Sequence, residues 1–124
     1  EVYSLFPVLR ERGRVRGTLL SGGEQQMLTL ARSLMTQPLL LLCDEPSEGL
    51  APVMVDRVGE VLQRLRAAGL SILLAEQNLD LALSVADVAY IIEEGRVIWH
   101  GTSADLLANE DVQATYLGIR IQGD

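Results

Sequence analysis

The sequence contains no lysine, and all ten of its basic residues are arginine. It also has no run of the form G-x-x-x-x-G-K-[ST], in which a glycine-rich loop and a lysine hold the phosphates of a nucleotide. A chain without this loop cannot build such a phosphate site alone. If the 124 residues take part in nucleotide chemistry, we therefore interpret them as a fragment that supplies one half of a composite site.

Other scarcities narrow the possible classes of protein. The single cysteine, Cys43, has no partner for a disulfide, which favours a reducing compartment with Cys43 as a small core residue. No stretch approaches the roughly 20 apolar residues that cross a bilayer, so any spanning at a membrane would fall to another subunit. The formal net charge of −7 argues against a general nucleic-acid binder.

One short segment departs from the acidic balance of the chain. Residues 10–16 contain four arginines, at Arg10, Arg12, Arg14 and Arg16. We interpret them as a solvated basic stretch or as a surface that docks a partner subunit, and recognition of phosphate is the alternative.

The hydrophobic pattern predicts one α/β domain in which strands and helices alternate. Both short apolar strands are predicted to be buried on both faces, as in the middle of a parallel sheet. The predicted elements are a loop from Thr18 to Gly23, a helix from Glu24 to Met35, a strand from Leu39 to Asp44, a helix from Pro52 to about Gly69, a strand from Ser71 to Ala75, a helix capped by Asn78 and running through Ala86, a hairpin of Val88 to Ile92 with Arg96 to Trp99, and two terminal helices, Thr102 to Leu107 and Glu110 to Leu117.

A serine and two glycines precede the first long helix. Ser21 offers a hydroxyl, and Gly22 and Gly23 offer backbone N–H groups at the positive end of the helix dipole. Because glycine has no Cβ, an anion such as phosphate can approach this backbone closely. The alternative is an ordinary N-terminal helix cap by Ser21.

Two acids stand at the end of the first apolar strand. Ligands bind at the carboxyl ends of strands in open α/β sheets, which makes Asp44 a candidate for holding Mg²⁺. Glu45, one residue on, is placed to polarise a water that attacks a phosphate. The alternative for both is a helix-capping or salt-bridging acid pair.

Three motifs in this order carry a family resemblance: LSGGEQQ at residues 20–26, LLLLCDEPSEGLAP at residues 39–52 and AEQN at residues 75–78. The chain resembles the ATP-binding subunits of ABC transporters, with the closest likeness to those of branched-chain amino-acid importers. The likeness runs over essentially the whole chain. It implies the C-terminal part of a P-loop NTPase domain, a mostly parallel sheet flanked by helices that lacks the phosphate-loop strand. It further implies that residues 1–35 end a helical subdomain and that residues 36–124 form the core sheet and C-terminal helices.

The resemblance also implies roles for individual residues. The signature residues Ser21, Gly22, Gly23 and Gln25 would bind ATP held by the opposite subunit of a head-to-tail dimer. Glu45 would be the catalytic base and Asp44 the Mg²⁺ acid, and the segment Glu48 to Ala51 would cross the dimer interface. Two positions depart from the family pattern: Ala51 stands where many members have Asp, and Gln77 stands where most have a histidine that contacts the γ-phosphate. Glutamine can donate a hydrogen bond but carries no charge, so the role of Gln77 would be positional.

The implied cofactors are ATP and Mg²⁺. The implied partners are a second ATP-binding subunit, the transmembrane permease subunits and, indirectly, a solute-binding protein, with no nucleic acid. The implied location is peripheral, on the cytoplasmic face of the cell membrane. The fragment alone is predicted to be inactive. The alternatives are a non-catalytic interaction module that supplies a signature surface in trans, or an ABC ATPase that acts on nucleic acid or ribosomes.

The family fold places the phosphate-loop strand between the strand Ser71 to Ala75 and the strand Val88 to Ile92. Without it, apolar strand edges and helix faces would be exposed, which favours pairing between chains. This chain alone is therefore expected to be oligomeric, rearranged or accompanied by the rest of its domain.

Overall fold

The computed structural model describes residues 2–116, and the predicted alternation of helices and strands is confirmed there. Leu117, the last residue of the predicted final helix, lies outside the described range. The elements in chain order are α1 (Val2–Leu5), α2 (Pro7–Glu11), a 3-10 turn (Gly17–Leu19), α3 (Gly22–Leu34), β1 (Leu40–Asp44), α4 (Pro52–Ala67), β2 (Ser71–Ala75), α5 (Leu79–Val85), β3 (Val88–Glu93), β4 (Arg96–Thr102), α6 (Ser103–Ala108) and α7 (Glu110–Tyr116).

The four strands form two separate pairs within residues 2–116. β1 and β2 are parallel, in a register that runs from Leu40 opposite Ser71 to Asp44 opposite Ala75. β3 and β4 form the predicted antiparallel hairpin, with an irregularity in register between Ile91 and Ile92. No strand among the described residues joins β2 to β3. Within the described residues, no continuous backbone ladder therefore connects the two pairs.

The main hydrophobic core lies on one side of the β1–β2 pair. Val58 and Leu62 of α4 are fully buried at its centre, where each such side chain contributes about 1.5–3 kcal/mol relative to an exposed one. Helix α2 contributes Phe6 at its N-cap and Leu9. The remaining buried members come from α3, β1, α4 and α5: Met27, Leu30, Ala31, Leu41, Cys43, Val61, Leu65, Leu81 and Val85.

The prediction that both strands are buried on both faces is wrong. Leu41 and Cys43 of β1 are buried, but Leu40 is 51% and Leu42 68% exposed, and Leu73 of β2 is 64% exposed. Successive side chains on a strand point to opposite faces, and the described helices cover only one face of this sheet. The apolar run therefore gives the strand correctly but not the number of its covered faces.

Helix α3 begins and ends earlier than the sequence predicts. It starts at Gly22, so the two glycines belong to its first turn and not to a preceding loop. It ends at Leu34, and Met35, the last residue of the predicted helix, is the C-cap and is 70% exposed. Helix α4 buries Val58, Val61, Leu62 and Leu65 on one face, whereas Met54 is half-buried.

Candidate functional site

The carboxyl ends of β1 and β2 lie side by side. Because the strands are parallel and Asp44 is in register with Ala75, the segments that follow the two strands leave the sheet at the same edge. The backbone N–H of Glu45 donates to the carbonyl of Ala75 at 2.8 Å and closes the strand pairing. This edge brings the acids that follow β1 next to the segment that follows β2.

Glu45 and Gln77 are in direct contact at this edge. The amide Nε2 of Gln77 donates to Oε1 of Glu45 at 2.7 Å, between residues 32 apart in sequence. This hydrogen bond fixes the orientation of the Glu45 carboxylate. A contact of Gln77 to phosphate, which the family resemblance implies, stays a prediction. The other oxygen, Oε2, has no hydrogen-bond partner among the described residues and can accept a proton or a hydrogen bond from water.

The backbone at Glu45 turns sharply. Glu45 has a φ of +46°, a left-handed conformation that costs a non-glycine residue on the order of 1–3 kcal/mol and marks sites over-determined by their surroundings. A turn hydrogen bond, from the N–H of Glu48 to the carbonyl of Glu45, follows at 3.0 Å. The turn separates the two acids: Asp44 is exposed, whereas Glu45 is half-buried.

Asp44 suits one ligand position of a Mg²⁺ ion. Its carboxylate is exposed and has no hydrogen bond or ion pair with any residue from 2 to 116. The described residues contain no group of three or more His, Cys, Asp or Glu side chains that could hold a metal. Mg²⁺ usually takes one or two carboxylates together with substrate phosphates and water, so a single acid fits a metal that arrives with a nucleotide.

Glu76 belongs to this edge and was missed by the sequence analysis. Its Oε1 accepts the N–H of Ser47 at 2.9 Å, and its Oε2 accepts the N–H of Asn78 at 3.2 Å. The available signal was its position as the first residue after a strand, directly before Gln77. Asn78 caps α5 as predicted, through Oδ1 and the N–H of Leu81 at 3.0 Å.

Cys43 is buried beneath the same edge, as predicted for a small core residue. Burial raises the pKa of its thiol, and the negative charge of Glu76 raises it further. The thiol is therefore held in its neutral form, which suits packing and not reactivity.

Ser21 forms a complete capping box at the start of α3. Its Oγ accepts the N–H of Glu24 at 3.3 Å, and its own N–H donates to the Glu24 carboxylate at 2.9 Å. This backbone hydrogen bond, together with Arg12 at 3.1 Å, lowers the pKa of Glu24. The capping alternative is thus confirmed. It leaves the N–H groups of Gly22 and Gly23 without intrahelical partners, as at every helix start, so a cap and an anion receptor can coexist here.

The two glycines of the signature have different surroundings. A Cβ at Gly23 would lie 2.6 Å from Cε and 2.8 Å from Cγ of Met54, whereas nothing lies within 4 Å of a Cβ at Gly22. A side chain at Gly23 would therefore force the Met54 side chain to move where α3 approaches the start of α4, whereas a side chain at Gly22 would meet open space. Gln25, predicted to bind nucleotide, donates its amide to the carbonyl of Leu20 at 3.1 Å and stabilises the preceding turn.

The predicted site residues therefore fall into two groups. Asp44, Glu45 and Gln77 share the sheet edge, whereas Ser21, Gly22, Gly23 and Gln25 lie at the start of α3. No hydrogen bond between described residues joins the groups; α3 and α4 are connected through the shared hydrophobic core and through the approach of Gly23 to Met54.

A parallel strand pair with acids at its carboxyl edge is the arrangement at which open α/β sheets bind ligands, and solved structures with this fold are ATP-binding cassettes. The ADP conformation of an ATP-binding cassette of an ABC transporter matches with a TM-score of 0.76 at 27% identity, over 95% of this chain and 49% of that one. A component of the cbiONQ transporter complex from Clostridium perfringens matches with a TM-score of 0.70 at 25% identity, over 90% and 48%.

Sequence comparisons agree with the fold. Residues 4–48 match the model of the ABC transporter family. The high-affinity branched-chain amino acid transport ATP-binding protein BraG of Pseudomonas aeruginosa is 49% identical over 95% of this chain and 51% of its own length. The probable branched-chain amino acid transport ATP-binding protein LivF of Archaeoglobus fulgidus is 38% identical over 92% and 49%. The lipopolysaccharide export system ATP-binding protein LptB of Escherichia coli is 38% identical over 82% and 42%.

The chain is thus a member of the ABC transporter ATP-binding family, and two of these relatives belong to branched-chain amino-acid transport. It spans about half the length of the curated relatives it matches. The resemblance that the three motifs carried is confirmed. The roles of the individual site residues, and the division at residue 35, stay predictions.

Proposed function

We propose that this chain is part of an ATP-hydrolysing subunit that powers import of a solute, and that the solutes are branched-chain amino acids. The observation that carries the proposal is the hydrogen bond of 2.7 Å between Gln77 Nε2 and Glu45 Oε1 at the carboxyl edge of the sheet. It supports a carboxylate that is oriented by a neutral donor and retains one unoccupied oxygen. That is the requirement for a general base acting on a water.

The residues of the edge divide the work. Glu45 accepts the proton of the attacking water at Oε2, while Gln77 holds Oε1 and the rotamer in place. Asp44 would hold Mg²⁺ directly or through water, and the ion would supply positive charge to neutralise the phosphates. Positioning and electrostatics supply most of the catalysis in phosphoryl transfer, which is consistent with a site made of one base, one metal acid and one orienting amide.

The start of α3 would serve a second copy of the site. The Ser21 hydroxyl can donate while its oxygen caps the helix, and the Gly22 N–H lies in the first turn, at the positive end of the dipole. We assign these groups to the γ-phosphate of ATP held by a partner ATP-binding subunit, so that the site is completed in trans. The partner can be an identical or a different chain.

The solute and the location follow from the relatives' names together with the family. No helix in residues 2–116 is long and apolar enough to cross a membrane. From the family we propose that the subunit binds at the cytoplasmic face of the membrane, to permease subunits that receive solute from a binding protein. Liposomes that carry the purified complete subunit with its permease and binding protein are expected to take up labelled leucine only when ATP is present inside them. Uptake that requires a lipopolysaccharide-export permease instead would contradict the importer assignment.

The chain alone is expected to hydrolyse Mg-ATP no faster than background. The sequence has no lysine to reach the β- and γ-phosphates, and this contact supplies much of the catalysis in the class. Phosphate release by the purified chain and by its Glu45→Gln variant should be indistinguishable. Turnover near one per second, a usual enzymatic rate, that disappears in Glu45→Gln would overturn this expectation.

The absence of lysine equally favours a second candidate, a module that only supplies the signature surface to another ATPase. Added to a complete subunit, such a chain would stimulate ATP hydrolysis by that subunit.

A further inference from the structure

One carboxylate connects the segments that follow β1 and β2. Glu76 uses one oxygen for the N–H of Ser47 and the other for the N–H of Asn78, at 2.9 and 3.2 Å. Ser47 lies two residues after Glu45, and Asn78 lies directly after Gln77. Glu76 itself belongs to the segment after β2, so its hydrogen bond to Ser47 links the two segments, and its bond to Asn78, two residues on, fixes the orientation of the carboxylate.

The segments need such a link because the sheet has ended. The last hydrogen bond between the two strands runs from the Glu45 N–H to the Ala75 carbonyl at 2.8 Å. Beyond it, the segment after β1 proceeds to α4 and the segment after β2 proceeds to α5. Pro46 has no N–H and cannot add a backbone rung. Ser47 is thus the first residue after Glu45 whose backbone N–H can donate to the neighbouring segment, and the carboxylate of Glu76 accepts this hydrogen bond.

The same link brackets a strained residue. Glu45 has a φ of +46°, and such a conformation persists only when its surroundings hold it. The Ala75 carbonyl holds the backbone before Glu45, and Glu76 holds it afterwards at Ser47. Releasing Ser47 would let the turn relax and would move the Glu45 carboxylate relative to Gln77.

We infer that Glu76 is a positioning residue for the reaction, which keeps Glu45 and Gln77 within hydrogen-bonding distance. The inference rests on the proposed function, because it takes Glu45 as the base. Glu76 itself is poorly suited to take a proton, since each of its oxygens already accepts a backbone N–H. Glu45 keeps Oε2 available.

The geometry requires a carboxylate on a side chain of this length. Glutamine has one acceptor oxygen, and its NH₂ group would face a second N–H donor. Aspartate keeps both oxygens but is one methylene shorter, so it cannot reach Ser47 and keep the bond to Asn78 at the same time. Each conservative substitution therefore loses one of the two hydrogen bonds and keeps either the size or the charge.

The experiment compares Glu76→Gln and Glu76→Asp with Glu60→Gln in the complete subunit assembled with its permease. Glu60 is exposed on α4 and has no hydrogen bond or ion pair among the described residues, so Glu60→Gln matches the charge change alone. We expect kcat for ATP hydrolysis to fall about ten- to 100-fold in both Glu76 variants, as small displacements at a reacting centre do. KM for ATP should change by less than about twofold, because binding is not affected. Glu60→Gln should behave as wild type.

Two further readouts separate positioning from other roles. The acidic limb of the kcat–pH profile should persist in Glu76→Gln, whereas its disappearance would make Glu76 the proton acceptor and overturn the inference. Amide hydrogen exchange of Ser47 or Asn78 should accelerate in the variants while the Glu45 amide, which bonds to Ala75, stays protected and reports an intact sheet. If Glu76→Gln does not fold, Glu76→Asp decides.

The remaining outcomes are also decisive. Wild-type kcat in both Glu76 variants, or unchanged exchange at both amides, would overturn the positioning role even where Glu45→Gln is inactive. Full hydrolysis by Glu45→Gln would instead overturn the proposed base, whatever the exchange data show. Failure of the inference and failure of the proposed function are therefore distinguishable.

Discussion

Glu45→Gln in the complete subunit is expected to lower kcat for ATP hydrolysis by at least about 100-fold, the lower end of what a general base contributes. ATP binding should persist, because glutamine keeps the shape of the side chain and its ability to hydrogen-bond. The Gln77 amide, 2.7 Å from Oε1 in the native protein, can still donate to the new amide oxygen. The variant should therefore accumulate as an ATP-bound closed dimer, which phosphate-release kinetics and light scattering can measure together.

Glu60→Gln is a suitable control for that experiment, because it removes an exposed carboxylate on α4, away from the sheet edge. It should hydrolyse ATP at the wild-type rate and dimerise only transiently. If Glu45→Gln keeps most of the wild-type rate, Glu45 is not the base. Loss of ATP binding in the variant would instead indicate that Glu45 holds the nucleotide in the ground state.

Gly22→Asp is expected to abolish ATP-dependent dimerisation while leaving the affinity of the monomer for ATP unchanged. If the start of α3 receives the γ-phosphate of a partner's nucleotide, a carboxylate at Gly22 repels that phosphate. Loss of one charge-assisted hydrogen bond costs about 1.5–3 kcal/mol, which is at least about tenfold in the dimerisation constant, and repulsion adds to it. Nucleotide titration of the monomer and light scattering with ATP measure the two quantities separately.

The structure decides which glycine to change. Nothing lies within 4 Å of a Cβ at Gly22, whereas a Cβ at Gly23 meets Met54 at 2.6 Å. Substitution of Gly23 would disturb the packing of α3 against α4 and confuse misfolding with loss of a site. Gly22→Ala is the matched control, since it adds the Cβ without the charge and should dimerise far better than Gly22→Asp. A parallel fall of monomer affinity in Gly22→Asp would place Gly22 in the site of its own subunit.

Much of this protein could be predicted from local sequence. The order of the signature motif, the apolar strand and the acid pair predicted the family, and the comparisons confirm it. Pro52 and Gly69 delimited a helix that is observed as Pro52–Ala67. Asn78 was predicted as an N-cap and is one. These features depend on a few neighbouring residues, whose backbone preferences and hydrophobic period are expressed within one element.

The tertiary structure decided what depends on residues far apart in the chain. The contact of Glu45 with Gln77 joins residues 32 apart, and that of Ser47 with Glu76 joins residues 29 apart; both exist only because β1 and β2 are paired in parallel register. The exposed outer faces of Leu42 and Leu73 reflect which layers cover the sheet, and an apolar run is the same whether one face is covered or two. The crowding that a Cβ at Gly23 would meet comes from Met54 on another helix. By itself the sequence determined the elements, the motifs and the family, because these are local properties; the sheet register and helix packing decided which side chains meet.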